Sequence, residues 1–182
     1  MKTLPFLLFA ACAFGQNGAP GLGHILENQM KTAESEIVPL VQAMPADKFG
    51  FAPKQGEFKG VRTFADQAKH IAAVLYMVSA AAKGEKVPVD IGEGENGPAS
   101  ATSKEQVVQF MKDAFAYAEG AAASMTAERF EQQVKAPWGE GTMARGALVS
   151  LATWHSFDHY GQMVVYARMN GVIPPASQPA SK

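Results

Sequence analysis

His155 and His159 stand four residues apart in the stretch LVSLATWHSFDHYGQMVVYAR, residues 148–168. Imidazole is the side chain most often used to hold a divalent transition metal. Residues four apart on a helix leave its axis on one side, a turn apart, so both rings can reach one ion. Leu148, Leu151, His155, His159, Gln162 and Tyr166 recur at intervals of three or four, the period of a face turned toward a core. An isolated pair is weak evidence, because two core histidines are satisfied equally well by hydrogen bonds to their neighbours. A third ring from another element changes that balance, and the chain offers His24 and His70.

His70 lies in TFADQAKHIAAVLYMVSAAAKG, which the pattern predicts as a helix with Thr63 at its N-cap and a stop at Gly84. Phe64, Gln67, Ala68, Ile71, Val74, Leu75 and Val78 mark the buried side, and His70 sits at its edge, able to face a bundle interior. Asp66 is spaced to touch His70, but a carboxylate in a first turn is explained by the helix dipole alone. The pattern of apolar residues from Gly21 to Met44 predicts an earlier helix, with Pro39 kinking or interrupting its last turn. His24, at the start of that helix, is expected to be exposed.

The remaining segments connect or complete these helices. Residues 45–62 read as a connection held down by Phe49, Phe51 and Phe58. Residues 84–101 read as an exposed loop: its glycines lack the strand and Lys-Ser/Thr pair of a phosphate loop, and Asp90, Glu93 and Glu95 lack EF-hand spacing. Thr102 and Glu105 form a capping box for a third helix, whose Ala121–Ala123 run permits close packing. A short helical piece over Ala127–Val134 and a KAPWGEGT turn lead to the last helix, from about Thr142 to Gly171.

Composition narrows the function classes. The 182 residues are 47% hydrophobic and 18% charged, which fits one domain with a substantial core. A formal charge of −1 without basic runs argues against nucleic acid or an anionic membrane surface as a partner. The opening MKTLPFLLFAACAFGQ has the basic start, apolar run and small residues of a secretory signal peptide over residues 1–15. The expected destination is export, periplasmic or secreted, with no stable membrane span. Cys12 is the only cysteine, and Phe9-Ala10-Ala11 before it make an imperfect lipobox, so a lipoprotein anchor is the weaker reading. Removal of that segment leaves no disulfide, thiolate ligand or cysteine nucleophile. Residues 174–182 read as a disordered tail.

Four amphipathic helices without strand alternation predict an all-α four-helix bundle, in which His70, His155 and His159 meet inside. Three neutral imidazoles suit a divalent ion, Zn²⁺ or Ni²⁺ foremost, with a coordination position left open. The run His155-Ser-Phe-Asp-His159-Tyr-Gly161-Gln162 resembles the H-x3-H-x-G-Q signature of the DinB-like superfamily, which includes YfiT-type proteins, and His70 matches its first ligand in placement. The resemblance spans residues 22–173. It implies a metal-binding four-helix bundle with His70, His155 and His159 as ligands and a site open near the bundle's end.

Some members of that superfamily are thiol-dependent transferases or isomerases. Export to an oxidising compartment argues against that chemistry here, because the thiol co-substrate is cytosolic. Three classes follow: a metal-dependent hydrolase acting through an activated water, a thiol-dependent S-transferase or isomerase, and a non-enzymatic metal-binding, stress-related protein. The partners that fit are a small-molecule substrate and a second copy of the chain. Asp158, Tyr160 and Gln162 lie near the ligands, and none is assigned as a general base.

Overall fold

The computed structural model describes residues 21–179; the proposed signal segment and Cys12 lie outside them. The chain forms α1 (Leu22–Ala43), α2 (Phe64–Lys83), α3 (Lys104–Ala123), the short α4 (Ala127–Glu131), strands β1 (Gln133–Lys135) and β2 (Thr142–Ala144), and α5 (Arg145–Met169). Helices α1 and α2 each pack against both α3 and α5 and barely meet one another, so they occupy opposite corners of a four-helix bundle. The all-α bundle expected from the helical periods is therefore the fold.

Its core is built from the apolar stripes. Met30, Ile37 and Leu40 of α1, Phe64, Ile71 and Leu75 of α2, Met111 and Phe115 of α3, and Leu148 and Met163 of α5 are all fully buried. Each such side chain contributes about 1.5–3 kcal/mol relative to exposure. The Ala121–Ala123 run does bring helices close: at Gly23 a Cβ would fall 2.4 Å from the Ala123 carbonyl oxygen, so α1 touches α3 backbone to side-chain-free backbone.

Ends and breaks follow local chemistry. The Thr63 side chain accepts the Asp66 amide as an N-cap, and Gly84 closes α2 in the left-handed conformation. Arg145 of α5 donates to the Ala82 carbonyl in the last turn of α2, tying the two histidine-bearing helices together at that end. Pro39 neither stops nor shortens α1, which runs to Ala43. It removes one intrahelical bond, and burial of Leu40, Val41 and Met44 beyond it holds the turn in place.

Four expectations need correction. The third helix is capped one residue later than read, by Ser103 and Gln106 in a full capping box; adjacent Thr and Ser both suit the position, and packing selects between them. The piece after Ala127 is helical only to Glu131, and α5 starts at Arg145 because residues 133–144 form an antiparallel hairpin. Phe49 and Phe51 pack on Phe64 and Tyr166 at 5.6 and 5.8 Å, whereas Phe58 is 41% exposed, its ring lying against Gly56 of its own loop. Residues 174–179 are not loose: Pro175–Ser177 form a 3-10 turn, and the Ser177 hydroxyl accepts from Arg168 at 3.0 Å.

Candidate metal centre

Helix α2 supplies His70, and α5 supplies His155 and His159. Their ring centroids lie 5.0 Å (His70–His155), 4.8 Å (His70–His159) and 4.5 Å (His155–His159) apart. One nitrogen from each falls within 4.8 Å of the others, so the three histidines are positioned to bind one metal ion. His70 and His159 are buried, and His155 is half-buried. The i, i+4 spacing on α5 and the edge of the α2 stripe thus converge as read from the sequence.

The backs of the rings determine what the fronts can do. His70 Nδ1 donates to the Glu95 carbonyl at 2.8 Å, and His159 Nδ1 donates to the Gln67 side-chain oxygen. In each ring the proton sits on Nδ1, which leaves a bare lone pair on Nε2. The His159 and His155 Nε2 atoms are 3.2 Å apart. Outer hydrogen bonds of this kind fix tautomer and orientation in metal-ligating histidines. Gln67 donates onward to Gln162 Oε1 at 2.9 Å, and Gln162 reaches Asp158 Oδ2 at 3.5 Å.

Burial keeps the triad neutral. It lowers His155 to about 4, aided by the charges of His159 and His70, and lowers His159 to about 4, aided by His70 and Arg62. His70 is also pulled down by burial, against the opposing effect of the Glu95 carbonyl. Neutral imidazoles within reach of one point, two of them with Nε2 unprotonated, are the donor set a divalent ion requires. The residues fit such an ion.

Two clefts flank the triad. A polar one of about 720 Å³ is lined by Gly60, Val61, Arg62, Asp66, Gln67, Asn96, His159 and Gln162. A smaller, more apolar one of about 360 Å³ lies at His155 between Val74, Met77, Glu95, Trp138, Leu151 and Trp154. Asp66 does not orient His70: its carboxylate accepts from the Thr63 hydroxyl at 2.7 Å and faces Lys69 at 3.4 Å, as the N-terminal reading requires. Tyr160 is turned toward Glu36 on α1, whose charge adds to burial in raising its hydroxyl pKa. His24 is exposed and accepts from Asn28 at 3.0 Å, apart from the triad.

Gln67, Arg62 and the loop at Glu95 border the triad, and the sequence pattern gave none of them a part in it. Gln67 could have been found as the polar residue in the buried stripe one turn before His70. Glu95 acts through its carbonyl, which no side-chain pattern reveals. The loop is held close by glycine: at Gly97, φ +76°, a Cβ would fall 2.8 Å from Lys69 Cβ on α2. Glu95 itself adopts φ +52°, a conformation unfavourable for its residue type and found where a site imposes it.

The fold and site together are those of a four-helix bundle whose three inward imidazoles are positioned to bind a metal ion beside a polar cleft. The sequence pattern of the DinB superfamily matches residues 29–163, and the chain belongs to that superfamily. Its fold is similar to a DinB-like protein from Bacillus cereus ATCC 10987, with a TM-score of 0.65 at 15% identity over 82% of this chain and 93% of that one. A DinB-like protein from Bacillus subtilis aligns with a TM-score of 0.57 at 15% identity, covering 81% and 92%. An uncharacterised protein from Escherichia coli UTI89 gives 0.57 at 17% identity, covering 85% and 97%. No curated protein of described function matches the chain.

Proposed function

We propose that this protein is an exported DinB-like metalloprotein that holds Zn²⁺ or Ni²⁺ on His70, His155 and His159 and carries out hydrolase-like chemistry on a small molecule. The observation that carries this reading is the pair of back-bonded rings: Glu95 and Gln67 hold His70 and His159 in the tautomer that points a lone pair at the shared centre. A divalent ion bound there supplies Lewis acidity and a water acidified to a pKa of about 7.

The chain's own groups do the remainder. Gln67 and Glu95 orient the ligands. Burial keeps all three rings unprotonated at neutral pH. The polar cleft beside His159 gives a small molecule a route to the centre, and three protein ligands leave room for it, as catalytic rather than closed structural sites do. The basic and apolar opening of the chain supports export, which removes the reduced thiol that a transferase would need.

The test is elemental analysis of the purified mature protein, followed by a panel of small esters and amides with and without chelator. We expect about one divalent ion per chain and turnover that disappears on chelation. Turnover that required an added low-molecular-weight thiol would replace the hydrolase reading by the transferase one. Metal without turnover of either kind would leave the non-enzymatic role. Mass spectrometry of protein from its native host tests export, and an intact Met1-bearing chain in the cytosol would reject it.

A further inference from the structure

Arg62 precedes the N-cap of α2 and lines the polar cleft together with His159. Its Nε donates to Asn96 Oδ1 at 3.0 Å, which fixes the plane of the guanidinium against the 93–96 turn. Among the described residues its two terminal nitrogens have no hydrogen-bond acceptor, and it enters no ion pair. The carboxylate that shares the cleft, Asp66, is already held by Thr63 and Lys69. The residue is half-buried, and it shares the wall of the cleft with His159 of the triad.

A half-buried arginine tethered by Nε and unpaired at both terminal nitrogens presents its planar fork to the cleft. That fork matches the two oxygens of a carboxylate, whose bidentate contact is both directional and charge-assisted. Asp66 on the same wall disfavours a dianion more than a monoanion. Asn96 and Gln162 add neutral polar groups around the opening.

We propose that Arg62 is a specificity-determining residue that anchors a carboxylate of the substrate beside the three-histidine centre, so that the protein acts on small carboxylate-bearing molecules. This rests on the metal-site reading above. The anchored group sits in the polar cleft, and the bond to be attacked lies between it and the imidazoles. Arg62 binds and aligns; it takes no part in proton transfer.

The experiment uses the full mature chain loaded with Co²⁺, whose visible spectrum reports on its surroundings. Acetate, benzoate and inorganic phosphate are titrated into wild type, Arg62→Ala and Arg62→Lys, and Co²⁺ affinity is measured separately for each. The expected result is unchanged Co²⁺ uptake in all three, carboxylate binding weakened about ten- to hundredfold in Arg62→Ala, and a smaller loss in Arg62→Lys, which keeps charge without the fork. Equal benzoate and acetate affinity in wild type and Arg62→Ala overturns the proposal while leaving the metal site intact. Phosphate bound more tightly than either carboxylate, and lost with Arg62, overturns the carboxylate assignment. Failure of wild type to take up Co²⁺ rejects the metal reading and this proposal with it.

Discussion

Gln67 and His159 meet across the α2–α5 interface, the Gln67 side-chain oxygen accepting from His159 Nδ1 while its nitrogen donates to Gln162 at 2.9 Å. One amide thus serves two residues of the neighbouring helix, and both its ends are occupied. Because an amide presents acceptor and donor on opposite arms, the Gln162 bond decides which arm faces His159. The orientation of His159, one of the three rings positioned to bind a metal ion, is set by a contact two residues removed from the centre.

Gln67→Leu keeps the volume and removes both bonds. Metal affinity should fall about 10- to 100-fold, with the helical content unchanged by circular dichroism. Gln67→Glu should restore most of it, since a carboxylate accepts from His159 Nδ1 at least as well. An unaltered affinity in Gln67→Leu would mean that His159 is oriented by packing alone.

The four histidines should separate into three and one. His70→Ala, His155→Ala and His159→Ala each remove a donor from a centre that has three, whereas His24 is exposed, bonded to Asn28 and apart from that centre. Competition with a chromogenic chelator at one fixed pH should place the three core variants at least about tenfold below His24→Ala. A loss for His24→Ala equal to that for His155→Ala would make it a further ligand and remove the open position.

Acid should act on the metal-free protein in a defined window. An unfolded-chain histidine titrates near 6.5, while folded His155 and His159 titrate at about 4. Between those values the unfolded chain binds protons that the folded one refuses, so stability is flat above about pH 6.5 and falls as the pH drops toward about 4. Metal affinity of the folded protein has the opposite robustness: burial holds His155 and His159 at about 4 and His70 below its ordinary value, so affinity should fall less between about pH 7 and pH 5.5 than it would for free imidazoles. Urea titrations without metal and chelator competition with it, over one pH series, check both. Affinity falling with pH as steeply as for free imidazoles would show that the rings are not held neutral by burial.

Gly97→Ala probes the loop. The added methyl meets Lys69 Cβ at 2.8 Å in a backbone conformation at φ +76°, a strain of about 1–3 kcal/mol. The loop should lift from α2 and carry the Glu95 carbonyl away from His70. Metal affinity should drop about tenfold, and Gly94→Ala, whose Cβ would meet only the Asn96 side chain at 3.4 Å, should drop it less. Equal effects of the two substitutions would detach the result from the close contact at Gly97.

What the sequence made legible follows from how the information is stored. The stripes of α2 and α5 repeat over several turns, so the helices, their inward faces and the meeting of His70 with His155 and His159 could be read directly. Thr63 and Gly84 mark the ends of α2 through side-chain and backbone chemistry local to each end. The hairpin could not be read, since its strands are three residues each and carry no buried face to impose a period of two. The support of His70 was hidden for another reason: it is a main-chain oxygen on a loop 25 residues away, placed by tertiary packing. Arg62 and Asn96, joined across 34 residues, were equally silent.

The bond between Gln67 and His159 joins positions 92 residues apart, and everything from α3 to the hairpin lies between them. A nascent or unfolded chain therefore has no preassembled donor set, only scattered imidazoles with weak and interchangeable preferences, until that long circuit has closed. On the export reading, a chain threaded across a membrane before folding arrives empty. Affinity among divalent ions rises in much the same order at any nitrogen site, so which one is captured depends on supply at the moment of closure. On that reading the identity of any bound ion would reflect the supply in the compartment where the bundle closes as well as the three imidazoles themselves.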